Sequence, residues 1–532
     1  MTSASAARIA SPLLGTLGAL GALALAGQAH AATACDDLAK TKVPGAEITA
    51  VKALEVGALQ EIDVFGIPPL PTGTAYCRVN ATLKPTPASS ILVEVWLPTK
   101  EAWNGKFMAT GNGGYGGALG GPRLAMRPAI KAGYAVAGTD MGHTENGAGG
   151  EANWALNQPE KIADWGHRAN HETAAFAKAM IAAYYGQAPR RSYFTGCSDG
   201  GREALMEAQR YPGDFDGIVA GAPANAWTRL MASFAWSWKA VHERPESRLS
   251  DANLAVVQKA VLAQCDKLDG VADGIIEDPR RCRFDPAVVQ CKDGQSKDCL
   301  TPIQVDGLRK LYQGPRDAKG KPIYPGYPAG GEAVPNAWPL WISGEKAQHP
   351  SFARSFFANF VYSDTGWQLA RMNLDRDLKA AQRLAPVVAS DNPDLSAFKA
   401  RGGKLIMYHG WADAAITPLG SIQYYDAVRA RMGVKSADEF SRLFMVPGMS
   451  HCFGGPGADS FDMLATIDGW VEGGRAPDVV IATKNDNDYA GLLGLPSKAL
   501  RTRPLCAYPK VAQWDGKGST DEAASYSCVA SK

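Results

Sequence analysis

The chain has 532 residues, and its 55 lysines and arginines nearly balance 53 aspartates and glutamates, giving a formal net charge of +2. This balance argues against nucleic acid as a partner, because nucleic-acid binding requires a basic face. The length exceeds what one ordinary hydrophobic core holds, so we expect a large domain that carries a sizeable insertion.

Residues 1–31 are predicted to be a signal peptide. Arg8 precedes an apolar stretch from Leu13 to Ala26, and Ala29-His30-Ala31 is a small-x-small cleavage site. One alternative is a membrane anchor, but the stretch is shorter than the ~20 residues of a span. The other is a lipid anchor on Cys35, where the preceding residues match such a site poorly. We expect a secreted or periplasmic protein that has no membrane contact after cleavage and whose cysteines are paired.

The chain then alternates strands and helices. Strands are predicted at 91–97, 107–110, 134–137, 192–195, 215–220, 403–408 and 442–446, and helices at 167–185, 200–210 and 422–431. This alternation predicts a parallel sheet with helices on both faces, the α/β class.

The alternation is interrupted once. Residues 224–393 are rich in Trp and Pro and hold four cysteines, with no clean strand–helix pattern. We interpret this segment as a lid inserted into an α/β-hydrolase core made of residues 32–223 and 394–532. The alternative is an independent second domain on a linker.

Ser198 is the candidate nucleophile. It is the central residue of Gly196-Cys-Ser-Asp-Gly200, between a predicted strand and a predicted helix. That turn is where α/β-hydrolases carry their serine, although the pattern is also found in catalytically silent glycine-rich turns. The oxyanion donors are expected to be the backbone N–H of Asp199 and one from the glycine-rich loop 111–117.

The acid and the base are expected downstream of the serine, in that order. Asp413 ends one late strand and His451 follows the last strong strand, so we predict them as acid and base. His409 is the competing base. Because it lies directly at a strand end, we interpret it as a residue of the pocket wall.

A short acidic loop between Cys265 and Cys282 is a candidate metal site. Residues 266–275 contain three aspartates and two glycines. Oxygen ligands of this kind suit a hard cation, and the spacing is not that of an EF-hand. We predict a structural Ca²⁺ and no organic cofactor. The alternative is a solvated acidic turn.

These motifs, taken together, resemble the tannase and feruloyl esterase family over nearly the whole mature chain. The carriers are Gly196–Glu203, Asp266–Ile275, Tyr408–Asp413, Pro447–Gly457 and Arg501–Cys506. The resemblance implies an α/β-hydrolase with a lid, a structural Ca²⁺ and hydrolysis of aromatic esters. It implies the triad Ser198, Asp413 and His451, and the oxyanion donors Gly113 and Asp199. It implies calcium ligation by the side chains of Asp266, Asp269 and Asp273 and the carbonyls of Val271 and Ile275.

The small aromatic ester expected as substrate is of feruloyl or galloyl type. The family also contains a hydrolase of mono(2-hydroxyethyl) terephthalate, which grips the free carboxylate of its substrate with a lid arginine. Here His349 stands near that place, and a bidentate arginine clamp is hard to replace. This monoester, or a related aryl monoester, is therefore the alternative substrate and not the first choice. A secreted peptidase and a non-catalytic binding protein are more remote alternatives. The predicted pocket lining is Phe352, His409, Ala415 and Ile416, with Phe352 alternatively in the lid core.

The ten cysteines allow many pairings. Proximity along the chain favours Cys35–Cys77, Cys265–Cys282, Cys291–Cys299 and Cys506–Cys528. This leaves Cys197 and Cys452, which are neighbours of the predicted nucleophile and base. The family resemblance implies the same five pairs. The sequence predicts no particular oligomeric state.

Overall fold

The computed structural model describes residues 33–62, 66–145, 150–489, 493 and 495–531. The predicted signal peptide, residues 1–31, lies outside the described residues.

A nine-stranded sheet organises the chain, in the order β1-β4-β5-β7-β6-β8-β9-β10-β11. Its strands are β1 (Ala46–Leu54), β4 (Tyr76–Leu83), β5 (Ile91–Pro98), β6 (Lys106–Thr110), β7 (Ala135–Thr139), β8 (Arg191–Cys197), β9 (Gly217–Gly221), β10 (Lys404–Gly410) and β11 (Ser441–Val446). Two short strands, β2 (Leu59–Gln60) and β3 (Leu70–Pro71), pair with each other beside it.

The sheet is mixed. Strands β6 to β11 run parallel to their neighbours, as the sequence predicts. The prediction of a parallel sheet is wrong for the N-terminal edge, where β1, β4 and β5 pair antiparallel and β5 is antiparallel to β7. For β4 and β5 the reason is connection length: a parallel crossover needs a dozen or more residues, and only residues 84–90 join the two strands.

Helices cover both faces of this sheet. In chain order they are α1 (Gly120–Lys131), α2 (Pro159–Ala163), α3 (Ala169–Tyr185), α4 (Asp199–Arg210), α5 (Trp227–Val241), α6 (Asp251–Cys265), α7 (Pro302–Gln313), α8 (Gln348–Ser355), α9 (Leu374–Ala381), α10 (Ala385–Val388), α11 (Ser396–Ala400), α12 (Pro418–Met432), α13 (Val434–Asp438) and α14 (Met463–Gly473). Successive residues of a strand point to opposite faces. Thus Phe107 packs in the cluster that includes α3 and α4, and Met108 in the cluster that includes α1 and α14.

Residues 222–403 leave the sheet between β9 and β10 and form helices α5 to α11. Part of this segment builds its own apolar cluster around α6 and α7. Another part, including Phe352 and Phe356, joins the main core. The predicted insertion 224–393 falls within this segment, and its bounds and its role as a lid stay predictions.

Two hairpins complete the C-terminal part, β12 (Val479–Asn485) with β13 (Ala499–Cys506) and β14 (Lys510–Trp514) with β15 (Tyr526–Ala530). No helix in the described ranges is long and apolar enough to cross a membrane.

All ten cysteines are paired, in the five combinations expected: Cys35–Cys77, Cys197–Cys452, Cys265–Cys282, Cys291–Cys299 and Cys506–Cys528. Because the sulfur of Cys35 is bonded to Cys77, the structure argues against the lipid anchor considered at that position.

Candidate active site

Ser198 lies on the sharp turn between β8 and α4. Its backbone has φ 67°, the left-handed region that a non-glycine residue adopts only under constraint. The flanking glycines make the turn possible, because a Cβ on Gly196 would lie 2.3 Å from the carbonyl oxygen of Gly200. The predicted nucleophile therefore has the strained strand–turn–helix setting in which an α/β-hydrolase exposes its serine.

Asp413 and His451 form a direct hydrogen bond. His451 Nδ1 lies 2.7 Å from Asp413 Oδ2, while Asp413 Oδ1 accepts the backbone N–H groups of Ala415 and Ile416. Burial would raise the pKa of the Asp413 carboxyl, but interaction with His451 and hydrogen bonds from His409 and His451 hold it well below its usual range. The acid therefore stays ionised and orients the histidine ring.

A disulfide ties the residues that adjoin the serine and the histidine. The Cα atoms of Cys197 and Cys452 are 6.0 Å apart, and the two residues are separated by 255 positions in the chain. Cys452 also has a positive φ, 67°, so both sides of the bridge are sharply turned. The bridge fixes the loop after β11 against the nucleophile turn, as the adjacency of the motifs predicts.

The glycine-rich loop packs tightly on the nucleophile turn. The N–H of Gly200 donates to the carbonyl of Asn112 over 2.7 Å, and a Cβ on Gly111 would lie 2.5 Å from Gly200 Cα. Gly113 is exposed, with nothing within 4 Å of where its Cβ would stand. Gly113 and Asp199 both line the cavity at Ser198. This arrangement leaves room for an oxyanion beside the two predicted donors.

The cavity at Ser198 has a volume of about 2450 Å³, larger than the roughly 300–1,000 Å³ of typical ligand pockets. Its wall, contributed largely by the inserted segment, is apolar and partly aromatic. It includes Trp227, Leu230, Met231, Phe234, Trp341, Phe352, Ala415 and Ile416. Three predicted lining residues, Phe352, Ala415 and Ile416, are thus placed along this wall.

Trp341 is a site residue that the sequence analysis did not identify. Its ring stands nearly perpendicular to that of His451, with centroids 5.3 Å apart. Trp341 belongs to the inserted segment, so the contact joins two parts of the chain more than a hundred residues apart. Only the Trp-rich composition of the insertion hinted at it.

Two histidines are not where the sequence analysis placed them. His409 is fully buried, and its ring contacts Asp413, Ile416 and Ser421, so its prediction as a pocket-wall residue is wrong. His409 is the last residue but one of β10, and its side chain points behind the acid. His349 is also fully buried and stacks on Phe234, with ring centroids 3.8 Å apart. The neighbouring residue that reaches the cavity is Gln348.

The acidic loop 266–275 is folded back on its own backbone. Asp266, Asp269 and Asp273 each turn one oxygen to a backbone N–H later in the loop. The second oxygen of Asp273 accepts from Arg501 and Arg503. In the described part of the chain, no group of three or more His, Cys, Asp or Glu side chains converges closely enough to hold a metal ion. A cation here would need backbone carbonyls among its ligands.

A small cavity adjoins this loop and has a volume of about 20 Å³, room for one water-sized group. Asp269, Asp273, Glu277 and Arg503 line it together with Val271 and Ile275. Burial raises the pKa of Asp269 to about 6 and that of Glu277 to about 8. Carboxyl groups enclosed in this way favour a positive charge among them.

Comparison with known proteins gives a consistent result. Residues 77–529 match the family model described as tannase and feruloyl esterase. An uncharacterised esterase of Xanthomonas campestris is 39% identical and covers 97% of this chain and 94% of its own length. A mono(2-hydroxyethyl) terephthalate hydrolase of Piscinibacter sakaiensis is 35% identical, with 80% of each chain covered. The crystal structure of feruloyl esterase B from Aspergillus oryzae superposes with a TM-score of 0.84 at 30% identity, covering 93% of this chain and 99% of the other.

Proposed function

Because this chain belongs to the tannase and feruloyl esterase family and is therefore a carboxylic ester hydrolase, we propose that it is a secreted serine esterase that cleaves feruloyl- or galloyl-type esters through an acyl-enzyme. The observation that carries the proposal is the Asp413–His451 hydrogen bond held beside the Ser198 turn by the Cys197–Cys452 disulfide. Family membership leaves no support for the peptidase and binding-protein alternatives.

The mechanism follows from these positions. Ser198 Oγ attacks the ester carbonyl while His451 takes its proton at Nε2, the ring nitrogen not bound to Asp413. The developing oxyanion is stabilised by the backbone N–H groups of Gly113 and Asp199. His451 then protonates the leaving alcohol, and water, activated by the same histidine, hydrolyses the acyl-enzyme. Asp413 keeps the proton of His451 on Nδ1 throughout.

The acyl group of the substrate derives from an aromatic acid whose ring carries no further ionised carboxylate. The cavity wall formed by Phe234, Trp341 and Phe352 offers flat apolar surface for a planar ring. Among the described residues lining the cavity, the charged side chains apart from His451 are six aspartates and one lysine. That lysine, Lys484, is already paired with Asp459 and Asp488. Phenolic acyl groups fit such a cavity. The free carboxylate of a terephthalate monoester would have no unpaired cation among the described lining residues.

The relative that hydrolyses mono(2-hydroxyethyl) terephthalate makes this monoester the second candidate substrate. The apolar wall favours the feruloyl or galloyl type, because a free carboxylate desolvated against that wall without a cationic partner is penalised.

A matched pair of substrates tests the proposal. Bis(2-hydroxyethyl) terephthalate has the same ring and leaving alcohol as the monoester but no free carboxylate. We expect hydrolysis of methyl ferulate or methyl gallate, and a kcat/KM for the neutral diester at least about tenfold above that for the monoester, the factor corresponding to ~1.4 kcal/mol. Ser198→Ala should lower kcat by several orders of magnitude. A monoester preferred over the diester would contradict the substrate class, and near-normal turnover by Ser198→Ala would contradict the serine mechanism.

Export to an oxidising compartment is part of the proposal. Five disulfides among ten cysteines support it, since such bridges are rare in reducing compartments.

A structural Ca²⁺ at loop 266–275 is also proposed. The acidic side chains support it, because Asp269, Asp273 and Glu277 line the small cavity there and carboxylate oxygens are ligands that Ca²⁺ prefers. Asp266, Asp269 and Asp273 would hold the ion with the carbonyls of Val271 and Ile275. The ion would neutralise the loop's acidic charge and would supply no reaction step.

A further inference from the structure

His409 is the last residue but one of β10 and stands four positions before the acid. Both of its ring nitrogens are engaged. Nδ1 lies 2.8 Å from Ser421 Oγ, and Nε2 lies 3.1 Å from Asp413 Oδ2 and 3.0 Å from the carbonyl oxygen of Ile416. The ring has no exposed surface, and His409 is not among the residues that line the cavity at Ser198.

These partners determine where the ring carries its hydrogen. A carbonyl oxygen only accepts, so the nitrogen that contacts Ile416 must donate, and Nε2 therefore carries the hydrogen. Nδ1 is then free to accept the hydroxyl hydrogen of Ser421. The Nε2–H of His409 lies between two acceptors, Asp413 Oδ2 and the carbonyl oxygen of Ile416.

Asp413 consequently receives four donors. His451 and His409 both donate to Oδ2, while the backbone N–H groups of Ala415 and Ile416 donate to Oδ1. The backbone donors alone hold one oxygen. The second histidine holds the other oxygen at the point where His451 binds, so the plane of the carboxylate cannot rotate away from the catalytic ring.

We propose that His409 is a positioning residue for catalysis, an Nε2–H donor that holds the Asp413 carboxylate in the orientation His451 requires without touching substrate. This inference rests on the proposed serine mechanism. It also explains why the imidazole is buried behind the acid, where a purely apolar side chain would pack but would leave Asp413 Oδ2 with one donor fewer.

The test compares His409→Leu with His409→Gln. Leucine removes the N–H, whereas glutamine keeps an amide N–H at a similar reach. A hydrogen bond to a charged group contributes enough for about a ten- to hundredfold effect, so we expect His409→Leu to lower kcat by that factor for methyl ferulate while KM is essentially unchanged. His409→Gln should recover most of the loss.

His242→Leu is the matched control. His242 is a partly buried histidine bonded to a carbonyl, that of Ile342, but it lies in the inserted segment and has no hydrogen bond to Asp413 among the described residues. It should lose stability without losing kcat. Equal kcat for the two leucine variants, corrected for the fraction of active enzyme, would overturn the inference. If Ser198→Ala alone abolishes activity in that case, the serine mechanism survives and only the role of His409 fails.

A measurement on the unaltered protein avoids any dependence on variant folding. With ¹⁵N-histidine labelling, NMR shifts report which ring nitrogen is protonated. We expect Nε2 of His409 to carry a proton, as its two acceptors require. An Nε2 without a proton would contradict the proposal directly.

Discussion

Glu203 illustrates how a single buried group supports the site. It is 2% exposed on α4, beneath the glycine-rich loop, and both of its carboxyl oxygens lie within reach of the N–H of Asn112. Asn170 donates to the same carboxyl. Burial, and then the nearby carboxylate of Asp199, raise the pKa of Glu203 to about 8. The group is therefore protonated in the folded protein over much of the acidic and neutral range.

The stability of the Glu203→Gln variant, relative to that of the parent protein, should increase as pH rises. A carboxyl whose folded pKa is raised stabilises the fold below its unfolded pKa, and that contribution is lost as pH climbs towards about 8. Glutamine mimics the protonated form and does not titrate. We expect the difference in Tm between Glu203→Gln and the parent to grow from pH 5 to pH 8, measured by calorimetry. A difference that is constant over this range would show that Glu203 is ionised in the fold.

At the scale of an element, the 266–275 loop is joined to distant parts of the chain. Arg501 and Arg503 on β13 bind Asp273, and the side chain of Gln513 on β14 donates to the carbonyl of Asp269. A cation at the loop would therefore stabilise the C-terminal hairpins as well as the insertion.

Removal of Ca²⁺ should lower Tm more than it lowers the intrinsic rate. An ion present at a hundred times its Kd contributes about 2.7 kcal/mol to folding, which chelation would remove. The measurement is a thermal melt with EDTA and then with Ca²⁺ restored, alongside kcat below the transition. Asp269→Asn is the matched variant and should respond less to chelation. Identical melting curves with EDTA and with Ca²⁺ would show that the loop is a solvated acidic turn.

At the scale of the whole molecule, one covalent bond joins the two halves of the core. Cys197 is the last residue of β8 in the first half, and Cys452 follows β11 in the second, with the entire inserted segment between them. The chain-entropy model assigns roughly 5 kcal/mol to a loop of this length and about half of that to the Cys291–Cys299 loop of 8 residues.

Replacing Cys197 and Cys452 by Ala should reduce activity far more than replacing Cys291 and Cys299. The reason is positional, because a displacement of about 1 Å between reacting groups can cost on the order of a hundredfold in rate. Activity at 25 °C and Tm should be measured for both double variants. If the two pairs lower Tm but leave kcat alike, the bridge between β8 and β11 acts on stability only.

The amino-acid sequence by itself determined the parallel part of the sheet and the positions of Ser198, Asp413 and His451. Local signals carry this information: apolar runs mark β6 to β11, and each candidate residue lies in the loop or turn that follows one of them. Parallel strands bring such ends to one edge, so order along the chain predicts proximity in space. The cysteines next to the serine and the histidine gave a second reason to expect these two residues close together.

Only the tertiary structure decided the antiparallel edge formed by β1 and β4, the place of Trp341 against His451, and the direction of His409. These depend on packing between segments far apart in the chain, which no local pattern encodes. A strand-end histidine can point into the pocket or behind the acid, and the difference is one rotation of a side chain. The buried partners Ser421 and Ile416 settle that rotation, because a desolvated imidazole must satisfy both of its nitrogens.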